Sequence, residues 1–209
     1  MIYIVSQENR RRFHHLLTEM HRQRKRVFID QLKWRLEESA GLEIDAFDSE
    51  DAVYLIEART PISDVSISAR LLPTTRPHLL SEHFVDLCEE PLPTGANVWE
   101  ATRFCPAPDT PAGALRRTML GRMIAGIMET ALLFGIEQVT YVADAALAPM
   151  AERAGWDVRR LGPPRGKGRD RIQAFAARID GAGLKRVREA FAINAPLIRF
   201  VPAEMPRAA

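Results

Sequence analysis

Two cysteines, Cys88 and Cys105, are all that this 209-residue sequence carries. Two thiols make no disulfide framework, which points to a reducing compartment. No stretch approaches the ~20 apolar residues of a membrane span. The opening run Met1-Ile2-Tyr3-Ile4-Val5 lacks the charged start and long apolar core of a secretory signal. A cytoplasmic protein with no membrane partner is expected. Catalytic patterns are as sparse. There is no H-E-x-x-H, no P-loop, no G-x-S-x-G and no G-x-G-x-x-G after a strand. The histidines at 14, 15, 21, 78 and 83 share no metal-ligand spacing with the cysteines, so no metal is expected. Aromatics are few among the basic residues, and no DNA-binding motif is present, so nucleic acid is not an expected partner.

What is present is ordinary in bulk: 46% hydrophobic and 27% charged residues, with a formal net charge of +2. At ~150 residues per domain, this is one domain with a tail. The charge is unevenly spread. Residues 10–26 carry seven Arg or Lys against one acid, Glu19. Residues 37–51 carry seven acids and no Arg or Lys, and residues 153–188 carry eleven Arg or Lys against three acids. Solvated helix faces would account for each run singly. Together they point to an acidic loop facing a cation or a buried Arg, and to a basic C-terminal third facing an acidic protein or a phosphate-bearing ligand.

Strands are read at 2–5, 52–58, 65–71, 98–104, 138–143, 156–161 and 171–179. The run from Val65 to Leu71 alternates apolar with polar residues. Helices are read from a Ser6 cap to Phe28, over 79–87, from Pro111 to Phe134, over 146–154, and from an Asp180 cap to Ile193. In the helix from Pro111, Leu115, Met119, Met123, Ile127 and Ala131 are the expected buried positions, and Gly135 ends it. Residues 30–50 read as a long loop, which in a compact domain is functional or mobile. A domain over 1–195 and a Pro-containing tail over 196–209 are expected. Mixed strands and helices give the class α/β or α+β.

Chemistry therefore falls to carboxylates, arginines and backbone. Glu100 and Arg103 lie in an apolar strand pattern, Arg70 sits on a second strand, and Asp45 and Asp48 flank Phe47 in the acidic loop. A charge in a strand core is costly unless paired. An ion-pair network pinning the loop to the sheet is one reading. A charged pocket for a zwitterionic substrate, with Glu100 as base, is the other. Glu100 and Arg103 are three apart, so a regular strand points them to opposite faces. A bulge between them would turn both toward one cleft.

Arg24, Phe28, Trp34, Asp45, Asp48, Arg70, Phe84, Glu100 and Arg103, read in order, resemble the signature of the acyl-homoserine-lactone synthases, the autoinducer synthases of bacterial quorum sensing. The strings Arg24-Lys25-Arg26-Val27-Phe28, Asp45-Ala46-Phe47-Asp48 and Glu100-Ala101-Thr102-Arg103-Phe104 carry it, over roughly residues 1–175. The resemblance implies a fold similar to the GCN5-related N-acetyltransferases: a single-domain αβα sandwich whose mixed central sheet is split into a V. It implies a cytoplasmic acyltransferase without a cofactor. S-adenosylmethionine and an acyl thioester, on acyl carrier protein or CoA, would be the substrates. N-acylation and then lactonisation would release methylthioadenosine. Oligomeric state stays open.

The roles that follow from the resemblance are these. Glu100 is the base, with Arg103, Asp45, Asp48 and Arg70 around the reacting groups. Phe28, Trp34 and Phe104 contact substrate, Arg24 anchors the substrate carboxylate or organises the acidic residues, Phe84 packs the substrate pocket, and residues 1–50 close over S-adenosylmethionine. Thr140 lies where similar enzymes that make 3-oxo products often carry a hydroxyl, and it is either a donor to a 3-oxo group or a β-branched residue suited to its strand, so the 3-oxo state of the acyl chain stays open. Arg153, Arg159, Arg160, Arg165, Lys167 and Arg169 form a basic face for the acidic carrier protein. Residues 106–122 lack the R/Q-x-x-G-x-G/A pyrophosphate loop of many acetyltransferases of this fold, which argues against a generic acetyl-CoA enzyme. Two other readings compete. One is an N-acyltransferase of the same fold acting on another amine. The other is a non-catalytic module whose basic third binds nucleic acid or an acidic protein.

Overall fold

The structure is a computed structural model that describes residues 1–144, 155–167 and 171–202. Ten strands are described: β1 (Ile2–Val5), β2 (Glu38–Ser39), β3 (Leu42–Glu43), β4 (Val53–Ala58), β5 (Val65–Pro73), β6 (Val98–Pro106), β7 (Gln138–Asp144), β8 (Val158–Arg160), β9 (Ile172–Arg178) and β10 (Ile198–Phe200). Four α-helices accompany them: α1 (His14–Arg24), α2 (Leu79–His83), α3 (Ala114–Leu133) and α4 (Gly181–Ala190). Eight strands form one mixed sheet in the order β10-β1-β4-β5-β6-β7-β9-β8, and β2 and β3 make a separate hairpin.

The interior strands are those with apolar residues on both faces. All six residues of β4 are buried, as both of its sides are covered. On one face, α3 and α4 pack over Ile4, Leu55, Ile67, Leu71 and Val139. α3 is apolar almost all round from Leu120 to Ala131, so it sits centrally on that face. Gly126 lets it approach β1 closely, since an added Cβ would lie 2.5 Å from Ile2 Cδ1. On the opposite face, α1 packs over Tyr3, Val5, Tyr54 and Ile56. There α2 packs over Ala174 and Ala176.

Two features of the sheet place the site. First, β6 and β7 run parallel and pair only from Val98↔Gln138 to Ala101↔Tyr141. Beyond that, β6 continues against β5 and β7 against β9, so the sheet opens as a V. Second, β5 pairs Arg70 with Thr102 but Ser68 with Cys105. Arg103 and Phe104 thus face the single residue Ala69, which is a β-bulge. Arg103 takes a φ of 51° there.

Several sequence expectations are corrected. Ser6 does not cap a helix: its N–H bonds Asn9 Oδ1 at 2.9 Å in a turn, and α1 begins only at His14. The helix does not run on to Phe28 as α, because Lys25–Gln31 widens into a π-helix, with Leu32 N bonded to Val27 O at 2.9 Å. The 30–50 loop contains the β2–β3 hairpin. α3 starts at Ala114, after Gly113 at φ 108°, not at Pro111, and Leu115 is exposed. The sheet extends into residues 196–209, since β10 pairs in parallel with β1. Asp180 caps α4 as expected, accepting from Gly183 N at 2.7 Å. The helix expected at 146–154, with Arg153, lies outside the described residues, as does Arg169.

Candidate active site

The acidic loop closes onto the sheet through six charged side chains. Arg24 comes from α1, Arg70 from β5 and Arg103 from the bulge. Glu43 lies on β3, and Asp45 and Asp48 follow it. Arg24 bonds Glu43 through Nε and holds Asp48 with both terminal nitrogens, at 2.8 and 2.9 Å. Arg70 Nη1 reaches Asp45 at 2.5 Å and Asp48 at 2.7 Å, and its Nε donates to Thr102 Oγ1 at 3.0 Å. Arg103 Nη2 bridges Glu43 at 2.9 Å and Asp45 at 2.6 Å. Tyr54 donates its hydroxyl to Asp48 at 2.9 Å. Three cations meet three carboxylates, which is what lets so much charge be buried. Burial opposes the ionisation of Asp48, but the Arg24 bonds and the charges of Arg24 and Arg70 outweigh it and hold its carboxyl far below the usual range.

Glu100 sits on the same face, fully buried, but outside this network. It pairs with neither Arg103 nor Arg70. Leu79 N and Leu80 N, at the start of α2, donate to its two oxygens at 2.8 and 2.9 Å. Burial pushes the Glu100 carboxyl up to about 7, against the lowering pull of those two N–H groups and, more weakly, of Arg70 and Arg103. A carboxyl that titrates near neutrality beside a split sheet is matched to proton transfer. The bulge does what the spacing required: Thr102 and Arg103 both turn to the face that carries Glu100, while Phe104 falls on the other.

The aromatic residues divide. Phe28, buried at the π-helix, stacks on Trp34 with ring centroids 5.0 Å apart and planes 7° off parallel. The Arg103 guanidinium lies over Phe28, 5.7 Å from its centroid. Trp34 stays 49% exposed, so one face of its ring is open to a ligand. Phe84, after α2, is half-buried against the apolar cluster of Leu80, Leu87 and Ala176. Phe104 packs into the core beneath α3, with the sheet between it and the charged network. Thr140 is buried opposite Glu100 in register, with its hydroxyl 3.5 Å from Trp99 O. Arg159, Arg160, Arg165 and Lys167 are exposed at the far edge of the sheet, and Arg159 pairs with Glu90 at 3.1 Å.

The Arg24 side chain is fully enclosed, so it holds the acidic loop and offers no surface to a substrate. Sequence reasoning missed Glu43, the innermost carboxylate. Its signal was its place in the acidic run, two residues before Asp45. Gln23 was also missed; its Nε2 donates to Cys105 O at 2.7 Å and ties α1 to β6 just past the bulge.

Comparison with known proteins decides what this arrangement belongs to. Residues 8–187 match the family model described as autoinducer synthase. The chain belongs to the autoinducer synthase family. An acyl-homoserine-lactone synthase of Agrobacterium fabrum is 32% identical over 193 residues, 89% of this chain and 90% of that relative. Among solved structures, the CoA-dependent acyl-homoserine lactone synthase BjaI, determined with SAM and isopentyl-CoA, superposes with a TM-score of 0.87 at 26% identity, covering 98% of this chain and 95% of its own. MesI, another CoA-dependent synthase, gives 0.85 at 28% identity, over 95% and 98% of the two chains. An N-acetyltransferase from Lactobacillus plantarum, at 12% identity and a TM-score of 0.56, shares the fold alone. As a member of its family, this autoinducer synthase is an acyltransferase that makes an acyl-homoserine lactone, a quorum-sensing signal. The non-catalytic reading falls away.

Proposed function

We propose that the chain joins S-adenosylmethionine to an acyl-CoA, with Glu100 as the general base. The observation that carries this is the buried Glu100 carboxylate, aimed by two backbone N–H groups and titrating near neutrality beside the opening of the V. Glu100 is fully buried, so the substrate's ammonium gives its proton to it through a bridging water and becomes a nucleophile. Its nitrogen attacks the thioester carbonyl, the C–S bond breaks, and the thiol leaves with a proton. The methionine carboxylate then attacks its own γ-carbon. The sulfonium is already a good leaving group, so this step needs mainly positioning. Methylthioadenosine departs and the lactone is closed.

A side chain that touches substrate needs surface. Within the charged network Asp45 is 17% exposed and Arg103 7%, whereas Arg24, Arg70, Asp48 and Glu43 are essentially enclosed. Asp45 and Arg103 therefore meet the polar groups of S-adenosylmethionine, and the other four fix them in place. Trp34, rigidified by Phe28, offers a ring face to the adenine. Two contacts support a covering role for the N-terminal segment: Arg26 pairs with Asp109 at 3.0 Å and Gln31 donates to Pro108 O at 3.3 Å. It is the part of the domain that closes over substrate. Thr140 is buried on the Glu100 face with its hydroxyl toward Trp99 O, and a 3-oxo group would have to compete for that donor.

CoA is preferred over carrier protein as the donor. The two synthases described as CoA-dependent superpose with TM-scores of 0.87 and 0.85. BjaI has also been determined with MTA. Arg159, Arg160, Arg165 and Lys167 would face the donor's phosphates. The deciding experiment incubates purified protein with S-adenosylmethionine and either donor, and follows lactone and methylthioadenosine by mass spectrometry. Equimolar appearance of both products is expected. Acylated amine without methylthioadenosine would instead favour an ordinary N-acyltransferase.

A further inference from the structure

We infer that Ser81 is a positioning residue for Glu100: its hydroxyl closes the first turn of α2, and that turn aims the backbone donors that hold the carboxylate. The inference rests on the reading of Glu100 as base. α2 has five residues, too few to keep its shape by its own hydrogen bonds. What defines its start is a reciprocal clasp. His78 N donates to Ser81 Oγ at 3.1 Å, and Ser81 Oγ donates to His78 O at 2.9 Å. Glu82 N also bonds His78 O, at 3.0 Å. His78 is itself buried, with Nδ1 donating to Arg76 O at 2.9 Å, so the head of the helix is pinned from both sides.

Between the two ends of the clasp lie Leu79 and Leu80, whose N–H groups grip the two oxygens of Glu100. Leu80 is fully buried against the cluster under α2, which removes the remaining freedom of the turn. The charged groups acting on Glu100 are Arg70 from β5 and Arg103 from β6. Leu72 of β5 and Thr140 of β7, its register neighbours, carry no charge. On α2 itself, Glu82 is exposed, and its Oε1 lies 3.1 Å from Ser81 Oγ as a second acceptor for that hydroxyl. The two N–H bonds are thus the adjustable influence on this carboxylate, and Ser81 sets their geometry.

Opening the clasp weakens both bonds. Because they favour the carboxylate over the neutral acid, Glu100 then takes up its proton at higher pH. The test is the pH dependence of kcat/KM for lactone formation in Ser81→Ala. The acid limb is expected to move up by about half a unit or more, the scale of a weakened hydrogen bond. Ser81→Thr, which keeps the hydroxyl, should restore it. Ser81→Cys, which keeps the shape but bonds weakly, should fall between and serves if Ser81→Ala does not fold. A limb unmoved in these variants, whether or not the melting temperature drops, overturns the inference. Glu100→Gln separates the two levels of the argument. If that variant keeps both activity and limb, the base reading itself is wrong. If it is inactive while Ser81→Ala has the wild-type limb, the base stands and the positioning role fails.

Discussion

Glu100 and Asp48 are both buried carboxyls, and their surroundings drive them in opposite directions. Glu100 has only neutral donors within hydrogen-bond reach, so burial dominates and its titration rises from an ordinary 4.5 to about 7. The sign is that of an acid favoured neutral in the fold: it costs stability as pH climbs through that interval. Asp48 is depressed, so its contribution is present above its ordinary value and lost as the medium becomes more acidic than about pH 4. Activity and stability should therefore separate. Below pH 7 turnover is expected to fall about tenfold per unit, while thermal melting shows the protein fully folded at pH 5. Coincident loss of both would contradict the assignment of the base. Glu100→Gln should abolish lactone synthesis and leave a folded protein. Asp48→Asn removes the carboxylate shared by Arg24 and Arg70 and leaves buried cations under-compensated. A loss of about 3–5 kcal/mol in denaturant unfolding is expected, far beyond a surface substitution.

At the scale of elements, the strands were the legible part. Val65–Leu71 shows its period of two openly, and β4, β6, β7 and β9 begin or end within a few residues of where hydrophobicity places them. The helix starts were obscured wherever a side chain does an unadvertised task. Asn9 is the example. Its Nδ2 bonds Ile4 O and Val201 O, which keeps residues 6–13 in turns and delays α1 to His14. The π-helix at Lys25–Gln31 carries no local mark, because it is held by tertiary contacts of Phe28 and Arg26. Glu43 looked like one more acid on a polar loop, and only the fold shows that Arg24 and Arg103 converge on it. In the proposed site the π-helix sets Phe28 under Trp34. Trp34→Ala should raise the KM for S-adenosylmethionine severalfold and leave the KM for the acyl donor within about a factor of two, since one stacked aromatic is worth about 1 kcal/mol. Equal rises for both substrates in steady-state kinetics would remove Trp34 from the adenine site.

Across the whole molecule the V parts two groups of charge: the charged loop and α1 lie by the β6 arm, and the basic edge at β8 lies by the β7 arm. Arg159→Glu with Arg165→Glu should lower kcat/KM for acyl-CoA at low ionic strength, with the deficit shrinking as salt rises. If the same pair instead affects only carrier-protein thioesters, the preference for CoA is reversed. The bulge at Arg103 has a further consequence, in the terms of sequence change. Thr102 and Cys105 face the same side of the sheet, and Phe104 the other, which is how they would lie if the strand were regular and residue 103 absent. Removal of Arg103 by a single-codon deletion would therefore leave every flanking side chain on its present face. The expected product is a protein that folds, by circular dichroism and melting, but makes no lactone. An ancestral strand without the extra residue would have had to gain one codon, and no new core, to bring a cation to this cleft.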